Sequence, residues 1–227
     1  MKRLSVGYER VVLGVALSAV MAVGAVLAQT PARGTTAAGG GADAAEKVRI
    51  VRFPQPNKTS MIRTPSFNVN VSGLQSSTSK RPREWALFEI RYATGSKWTD
   101  ELAFNYHVMT KGKDDDGRDM YSYYTLTVRY IDIPPSNRKG DHMSCVALSP
   151  SLVERYGEPV SLALEIVGRD GTVLDSKSET TVNYPSKEWW KDSNVLDQPQ
   201  VKRRPGLVDR SKTPFALINA DDYEVVQ

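Results

Sequence analysis

The sequence contains a single cysteine, Cys145, and only two histidines, His107 and His142. One cysteine cannot close a disulfide within the chain, so packing must stabilise the fold unless Cys145 pairs with another chain. Because Cys145 lies in the apolar stretch CVAL, we predict a buried and unreactive thiol. Protein zinc sites take three or four ligands, and only His142 and Cys145 are close in sequence. We therefore predict no metal centre from these residues.

The chain also lacks the short motifs of common enzyme classes. It has no G-x-S-x-G nucleophile turn, no glycine-rich phosphate loop and no HExxH zinc motif. Asp141, His142 and Cys145 are neighbours in sequence, but successive side chains of a strand point to opposite faces, so we do not expect them to converge. The sequence thus predicts a protein without catalytic residues and without a cofactor.

An excess of charge of one sign is missing as well. The formal net charge is +4, and it falls to +2 without residues 1–28, which carry three cationic and one anionic side chain. Such a small excess does not favour nucleic acid as a partner. Basic residues do collect in KRRPGLVDRSK at 202–212, but Pro205 and Gly206 interrupt them and no aromatic residues interleave. We interpret this stretch as a solvated tail, with an acidic partner surface as the alternative.

The long apolar run of the chain lies at its N-terminus. A start with three cationic side chains precedes residues 11–28, which are uncharged, mostly apolar and end in V-L-A. This pattern is typical of a secretory signal peptide cleaved after Ala28, although its length also fits an uncleaved membrane anchor. A pilin-type leader cut after Gly7 is a third alternative, but Glu9 lies closer to that position than the glutamate of a usual bacterial pilin. We expect an exported protein.

Composition divides the rest of the chain into three parts. Residues 29–46 contain no large apolar side chain and predict a flexible linker. Residues 47–194 are enough for a single domain with a hydrophobic core. Residues 195–227 contain three prolines and no long periodic stretch, yet they keep several large apolar side chains. We expect this last part to be an extended tail that lies along the domain or on a partner.

The folded part has an apolar period of two, the period of a half-buried strand. In 102–110 the even positions, from Leu102 to Val108, are apolar and share one face, and His107 lies on the other face. In 121–132 the even positions from Tyr124 to Tyr130 behave in the same way. Similar runs occupy 47–53, 66–73, 84–92, 143–148, 160–168 and 172–182. Eight strands with short connections predict an all-β fold of two packed antiparallel sheets, because each apolar face must be buried.

The connections between these strands carry their own signals. Between 160 and 182 a three-residue loop, 169–171, would pair Leu164 with Ser176 and so avoid placing Leu164 opposite a charge. We therefore predict a type I turn with Gly171 left-handed and a bulge.

Two short helices are also predicted. One is SPSLVERYG, with Ser149 as N-cap, proline in the first turn and Gly157 at the end, and we expect it to cross between the sheets. The other is SKEWWKDSN, with Ser186 as N-cap and Trp189 and Trp190 as the anchor.

The densest group of carboxylates lies in KGKDDDGRDM, residues 111–120. An EF-hand loop that begins at Asp114 would need glycine at its sixth position and glutamate at its twelfth, where this chain has Asp119 and Thr125. The segment instead has the composition of a hairpin tip, and neighbouring cationic side chains offset its carboxylates. We predict a turn here, and weak calcium binding through Asp114, Asp116 and Asp119 is the alternative.

Four aromatic residues are placed by the pattern on polar faces or in loops: Trp85, Trp98, Tyr121 and Tyr123. Exposed aromatic rings can stack on sugars or anchor a protein partner. They can equally pack across neighbouring strands and stabilise a sheet. The sequence leaves both interpretations open.

Three stretches carry a resemblance to a known family. They are VRFP at 51–54, EWALFEIRY at 84–92 and RSKTPFALINADDYEVV at 210–226. In these stretches the chain resembles the immunoglobulin-like exported proteins of the verrucomicrobial, Akkermansia-type, type IV pilus gene cluster, over about residues 47–227. The resemblance implies an immunoglobulin-like β-sandwich, an envelope or surface location, association with pilus assembly and no enzymatic activity. It supplies no active-site residues.

These features predict a non-enzymatic exported protein of the periplasm, outer envelope or cell surface. We expect it to act by contact with envelope or pilus proteins, or with further copies of itself, and to meet a membrane only through an uncleaved N-terminal apolar segment. A ligand-binding module for glycans or calcium is the alternative from another class. A hydrolase, the third alternative, would require His142 or Cys145 for turnover.

Overall fold

The computed structural model describes residues 48–56, 60–64, 83–136, 142–184, 187–216 and 225–226. The predictions for the leader at 1–28, the linker at 29–46 and a strand at 66–73 lie outside the described residues. Within the described ranges, strands build two sheets that pack face to face. This arrangement confirms the predicted all-β sandwich.

The strands in chain order are β1 (Arg49–Arg52), β2 (Met61–Arg63), β3 (Glu84–Ala93), β4 (Thr99–Lys113), β5 (Asp119–Ile133), β6 (His142–Leu148), β7 (Glu158–Gly168), β8 (Val173–Thr180), β9 (Val201–Arg203), β10 (Leu207–Asp209) and β11 (Val225–Val226). The helices are α1 (Pro150–Tyr156), α2 (Ser193–Leu196) and a 3-10 helix at Arg210–Lys212. No helix in these described ranges has the length and apolar character needed to cross a membrane.

The strand order is that of an immunoglobulin-like sandwich. The first sheet has the order β1–β3–β6–β10, with β2 also paired to β3, and the second has the order β11–β5–β4–β7–β8, with β9 also paired to β5. In immunoglobulin terms β1, β3 and β6 are strands A, B and E, whereas β8, β7, β4 and β5 are strands G, F, C and C′. Three strands of the C-terminal region, which is the described part of the chain from residue 187 onward, extend these sheets: β10 occupies the position of strand D, and β9 and β11 both lie beside C′.

The core lies between the inner faces of the two sheets. The predicted even-numbered positions of β4 and β5, together with β7 of the same sheet, pack there against β3 and β6 of the first sheet. Phe104 and Tyr106 are completely buried. The buried phenol of Tyr106 donates a hydrogen bond to Ser144 Oγ at 2.6 Å, and Tyr130 Oη does so at 3.0 Å. Ser144 lies on the first sheet and accepts hydrogen bonds from two buried hydroxyl groups of the second sheet, so neither hydroxyl is left without a partner.

Helix α1 connects β6 of the first sheet with β7 of the second, as predicted. It begins after Ser149, which has extended backbone angles, and Gly157 ends it at φ +88°. The Ser149 side chain does not cap the helix; its Oγ lies 3.2 Å from Ser151 Oγ instead. Gly157 is needed for space as well, because a Cβ there would stand 1.8 Å from the backbone oxygen of Lys111.

The β7–β8 hairpin agrees with the prediction at its turn and differs beyond it. Gly168 N donates to Thr172 O at 2.9 Å, so the loop has three residues, and Gly171 is left-handed at φ +83°. An irregularity next to Ile166 then shifts the register by one residue, and Leu164 lies opposite Lys177 rather than Ser176. The predicted pairing was wrong because Lys177 has a favourable contact at this position: its ammonium lies 5.8 Å from the Phe53 ring centre.

The second predicted helix was wrong in its position. Residues 187–191 form turns, and the helix, α2, starts only at Ser193. Its N-cap is Asp192, whose carboxylate accepts the Asn194 backbone N–H at 2.9 Å, and the expected cap Ser186 lies outside the described residues. Trp189 and Trp190 are buried, as their anchoring role requires.

The C-terminal region lies on both sheets. Strand β9 pairs in parallel with Tyr121–Tyr123 of β5, and β10 pairs with Val146–Leu148 of β6. Pro205 and Gly206 carry the chain from one sheet to the other. Proline has no N–H for a further ladder bond, and Gly206 has φ +122°. The chain therefore turns away from β5 at this point.

We predict that Gly157→Ala destabilises the protein far more than Gly171→Ala. Both glycines have positive φ, which costs alanine about 1 kcal/mol. A Cβ at position 157 also collides with backbone of β4, whereas a Cβ at position 171 has nothing within 4 Å. Urea unfolding should show a loss of at least about 3 kcal/mol for Gly157→Ala. Equal losses in the two variants would contradict this account of the α1–β7 junction.

Candidate functional site

The carboxylate-rich segment forms the tip of the β4–β5 hairpin. The Asp114 carboxylate accepts the backbone N–H groups of Asp116 at 3.0 Å and Arg118 at 2.8 Å. Gly117 has φ +76°, and its N–H donates to Asp114 O at 3.0 Å. Asp114 thus satisfies backbone N–H groups of the turn, and Gly117 supplies its left-handed backbone, so the segment is a tight turn as predicted.

The other candidate calcium ligands also have partners within the chain. Asp119 lies 2.8 Å from Lys111 Nζ and 2.5 Å from Lys113 Nζ, and these two ammonium groups lower its pKa to about 2. Asp116 lies 3.3 Å from an Arg118 guanidinium nitrogen. In the part of the chain that the structure describes, no three acidic, histidine or cysteine side chains are grouped to hold a metal ion. The geometry favours the turn over the calcium alternative.

The two histidines and the cysteine occupy three separate environments. His142 is buried on the inner face of β6, with Nε2 3.3 Å from Thr94 Oγ1 and its ring 5.3 Å from Tyr92. Cys145 lies on the opposite face of the same strand, where burial raises its pKa to about 12. His107 lies on the second sheet. A thiol with so high a pKa is a poor nucleophile, and the structure does not bring these three residues together.

The outer face of the second sheet carries a cover that sequence reasoning missed. Residues 187–201, here called the tryptophan cover, place Trp189 and Trp190 on the sheet with 1% and 6% exposure. The indoles pack with Met109, Tyr123 and Ala163 in a second apolar cluster. The tandem tryptophans were the available signal, but a turn has no periodicity that reveals which surface it covers.

His107 lies under this cover. Its Nδ1 shares a hydrogen bond of 2.6 Å with the Tyr123 hydroxyl, and its ring stacks at 6.3 Å on Trp190. Among the described residues, Nε2 of His107 has no hydrogen-bond partner. Burial lowers the pKa of His107 to about 4; Glu165 opposes this effect and Lys191 adds to it. The imidazole is therefore neutral at pH 7.

One ion pair ties the tryptophan cover to the sheet. Lys191 Nζ lies 2.6 Å from Glu165 Oε1 of β7 and 3.2 Å from Glu188. The ammonium also stands 5.6 Å from the Trp190 ring centre. Since the Glu165 side chain is only 13% exposed, this pair is less screened by solvent than a surface pair.

The basic residues of 202–212 separate into two places. Arg210 donates to the backbone oxygens of Phe215 and Ala216, both at 3.2 Å, and so fixes these two residues near β6. Arg203 and Arg204 instead line a cleft of about 270 Å³ on the edge of β5. We call this the basic cleft; its remaining lining residues are Tyr123, Thr125 and Pro205.

The four singled-out aromatic residues have different surroundings. Trp85 packs edge-on against Phe215 at 6.2 Å, and Tyr123 is buried under the tryptophan cover. Tyr121 lies beneath the Lys111 ammonium at 5.7 Å. Trp98 alone of the four is highly exposed, at 65%. Packing within the domain therefore explains Trp85, Tyr121 and Tyr123. Of the four residues, Trp98 alone is exposed enough to contact a partner protein or a sugar.

This arrangement defines a class: an immunoglobulin-like β-sandwich whose C-terminal region adds strands to both sheets. A family model matches residues 42–227, and the chain belongs to that family. A crystal structure of a protein from Akkermansia muciniphila has a similar fold, with a TM-score of 0.60 over 80% of this chain and 93% of that one. The two sequences are 20% identical, so the likeness shows the fold alone. No curated protein matches the chain.

We predict that stability falls between pH 6.5 and pH 4.5 because of His107. The unfolded chain binds a proton at the ordinary pKa of 6.5, but the folded chain does so only near pH 4, so acid favours unfolding in this window. The loss should be about 2 kcal/mol by pH 4.5. Urea unfolding at the two pH values measures it.

His107→Asn is the matched variant, since it keeps a polar group for the Tyr123 hydroxyl but does not titrate. Its stability should change much less over the same window. The ion pairs of Asp119 do not contribute to the loss of stability between pH 6.5 and pH 4.5, because the pKa of Asp119 is about 2 and its carboxylate stays ionised. An unchanged pH dependence in His107→Asn would show that another group causes the loss.

Proposed function

We propose that the chain is a non-enzymatic, exported structural protein of the cell envelope that acts by contact with other proteins and takes part in type IV pilus assembly. The observation that carries the proposal is the C-terminal region, which extends both sheets and covers outer faces of the sandwich. His107, His142 and Cys145 lie apart from one another, whereas a basic sheet edge is exposed. The leader-like N-terminus and the resemblance of 51–54, 84–92 and 210–226 support export and the pilus context.

Partners are then envelope or pilus proteins, or further copies of this chain, in the periplasm, outer envelope or cell surface. The sandwich suits such a role because its two sheets present rigid edges and loop ends for contact. Neither catalysis nor a cofactor enters this role.

The test combines cell fractionation, N-terminal sequencing and cross-linking of the full chain in cells that produce it. We expect the protein in an envelope fraction and cross-linked to envelope or pilus proteins. Full-length protein is required, since truncation after Asn194 removes β9 and β10 and exposes the edges of β5 and β6. Recovery from the cytoplasmic fraction with an intact N-terminus would contradict the proposal. Turnover that is lost in Cys145→Ser or His142→Gln would contradict it as well.

A ligand-binding module is the second candidate, favoured by a cleft of about 380 Å³ next to β8. Its lining includes Tyr184, Trp189, Glu179 and Asn183, and aromatic and polar side chains together suit a sugar ring. Calorimetry with a panel of glycans and with calcium separates the candidates. The structural role predicts no heat from either, and saturable heat with one glycan would favour the second candidate.

A further inference from the structure

Arg204 is a half-buried cation whose contacts are neutral groups. Its Nε donates to Ser122 Oγ at 3.0 Å, and its guanidinium lies 4.0 Å from the Tyr156 ring centre. A second nitrogen lies 3.8 Å from Met120 Sδ. No carboxylate of the described residues lies within ion-pair distance of it. Charges removed from water are normally paired, so this guanidinium is suited to receive an anion.

The neighbouring Arg203 makes the basic cleft a site for a carboxylate. Its guanidinium is 66% exposed, lies 3.5 Å from Asp197 and stands 5.7 Å from the Tyr123 ring centre. Two guanidinium groups over an aromatic floor can accept a carboxylate in the forked geometry that arginine favours. Lys202, which is exposed, adds a further positive charge beside the cleft.

Among the described residues, part of the β5 edge next to this cleft has no strand paired to it. Tyr121 N donates to Gln200 O at 2.8 Å and Tyr123 O accepts Arg204 N at 2.9 Å, so odd-numbered residues of β5 direct their backbone groups towards this edge. Strand β9 leaves at Pro205, and β11 pairs only with Arg129 and Tyr130. Between them Thr125 and Thr127 are exposed; they pair with β4 on one side, and no described strand pairs with them on the other side.

The opposite edge of the same sheet, strand β8, carries charged side chains on its inward face. On β8 the side chains of Asp175, Lys177 and Glu179 lie opposite the core residues Ile166, Leu164 and Leu162. Charges directed inward on an edge strand are a device that prevents pairing with another chain. Strand β5 has apolar residues at the corresponding inward positions, including Leu126 and Val128. Of the two edges, β5 is the one able to accept a strand.

We propose that the basic cleft and the open edge at Thr125–Thr127 form a docking site for an extended acidic segment of a partner protein. The segment adds a short strand to β5, and one of its carboxylates enters the cleft to pair with Arg203 and Arg204. Charge complementarity selects an acidic segment over an apolar one. The inference rests on the proposed function, because its occupant is a protein.

The experiment uses the full chain and a labelled synthetic peptide that alternates glutamate and threonine, with its glutamine counterpart as control. Fluorescence anisotropy should show that the glutamate peptide binds at least about tenfold more tightly. Raising NaCl from about 0.05 M to about 0.5 M should weaken binding strongly. Hydrogen exchange at the Thr125 and Thr127 amides should slow when the glutamate peptide is bound.

Arg203→Glu should lose binding by at least about tenfold, and Arg169→Glu is its matched control. Arg169 is 75% exposed and lies in the β7–β8 turn, so its reversal should leave binding unchanged. Thr127→Pro removes one outward N–H of β5 and should reduce binding without unfolding the domain, which circular dichroism verifies.

Equal binding by Arg203→Glu and the unaltered chain would overturn the inference, as would protection at amides elsewhere. Binding of a sulfated oligosaccharide in place of the glutamate peptide would overturn it too. These outcomes are distinct from failure of the proposed function. A chain that cross-links to envelope proteins but is indifferent to Arg203→Glu keeps its structural role and uses another surface.

Discussion

The backbone hydrogen bonds of β9 with β5 and of β10 with β6 hold the two sheets together along one side of the sandwich. In an immunoglobulin-like sandwich the strands of each sheet leave unpaired edges, and a chain that crosses between the sheets can satisfy one edge of each. Here Arg204–Gly206 makes that crossing, with Arg204 stacked on Tyr156 next to α1. The basic cleft and the position of β10 depend on this crossing, because Arg204 and Pro205 line the cleft and Gly206 leads directly into β10.

Long strands were predictable because burial alternates along them. The even-numbered residues of β4 from Leu102 to Val108 are all completely buried, so a simple period of two identified both the strand and its inner face. The turn at Gly171 was predictable for a different reason: glycine tolerates the left-handed backbone that the loop requires. The register beyond that turn was not predictable, since Lys177 there contacts Phe53, which is distant in sequence.

The C-terminal strands and the covering of His107 could not be predicted from the sequence. Strands β9 and β10 have three residues each, too few for any period to be visible. His107 lies on the outward face of β4, as its position indicated, but the tryptophan cover buries it. Residues distant in sequence determine what covers an outward face, so the sequence of β4 itself does not indicate that His107 is covered. The basic cleft is equally non-local, since it joins β5 to a stretch that resembled a solvated tail.

The placement of Cys145 has a further chemical consequence. The 3-10 helix Arg210–Lys212 contacts β6, Arg210 lies near Cys145, and Cys145 is 4% exposed. The sulfur is therefore shielded from oxidants and from a second chain while the C-terminal region remains in place. Detachment of that region would uncover it and permit a covalent bond between two chains. The appearance of disulfide-linked dimers would thus report that the sandwich had opened at this side.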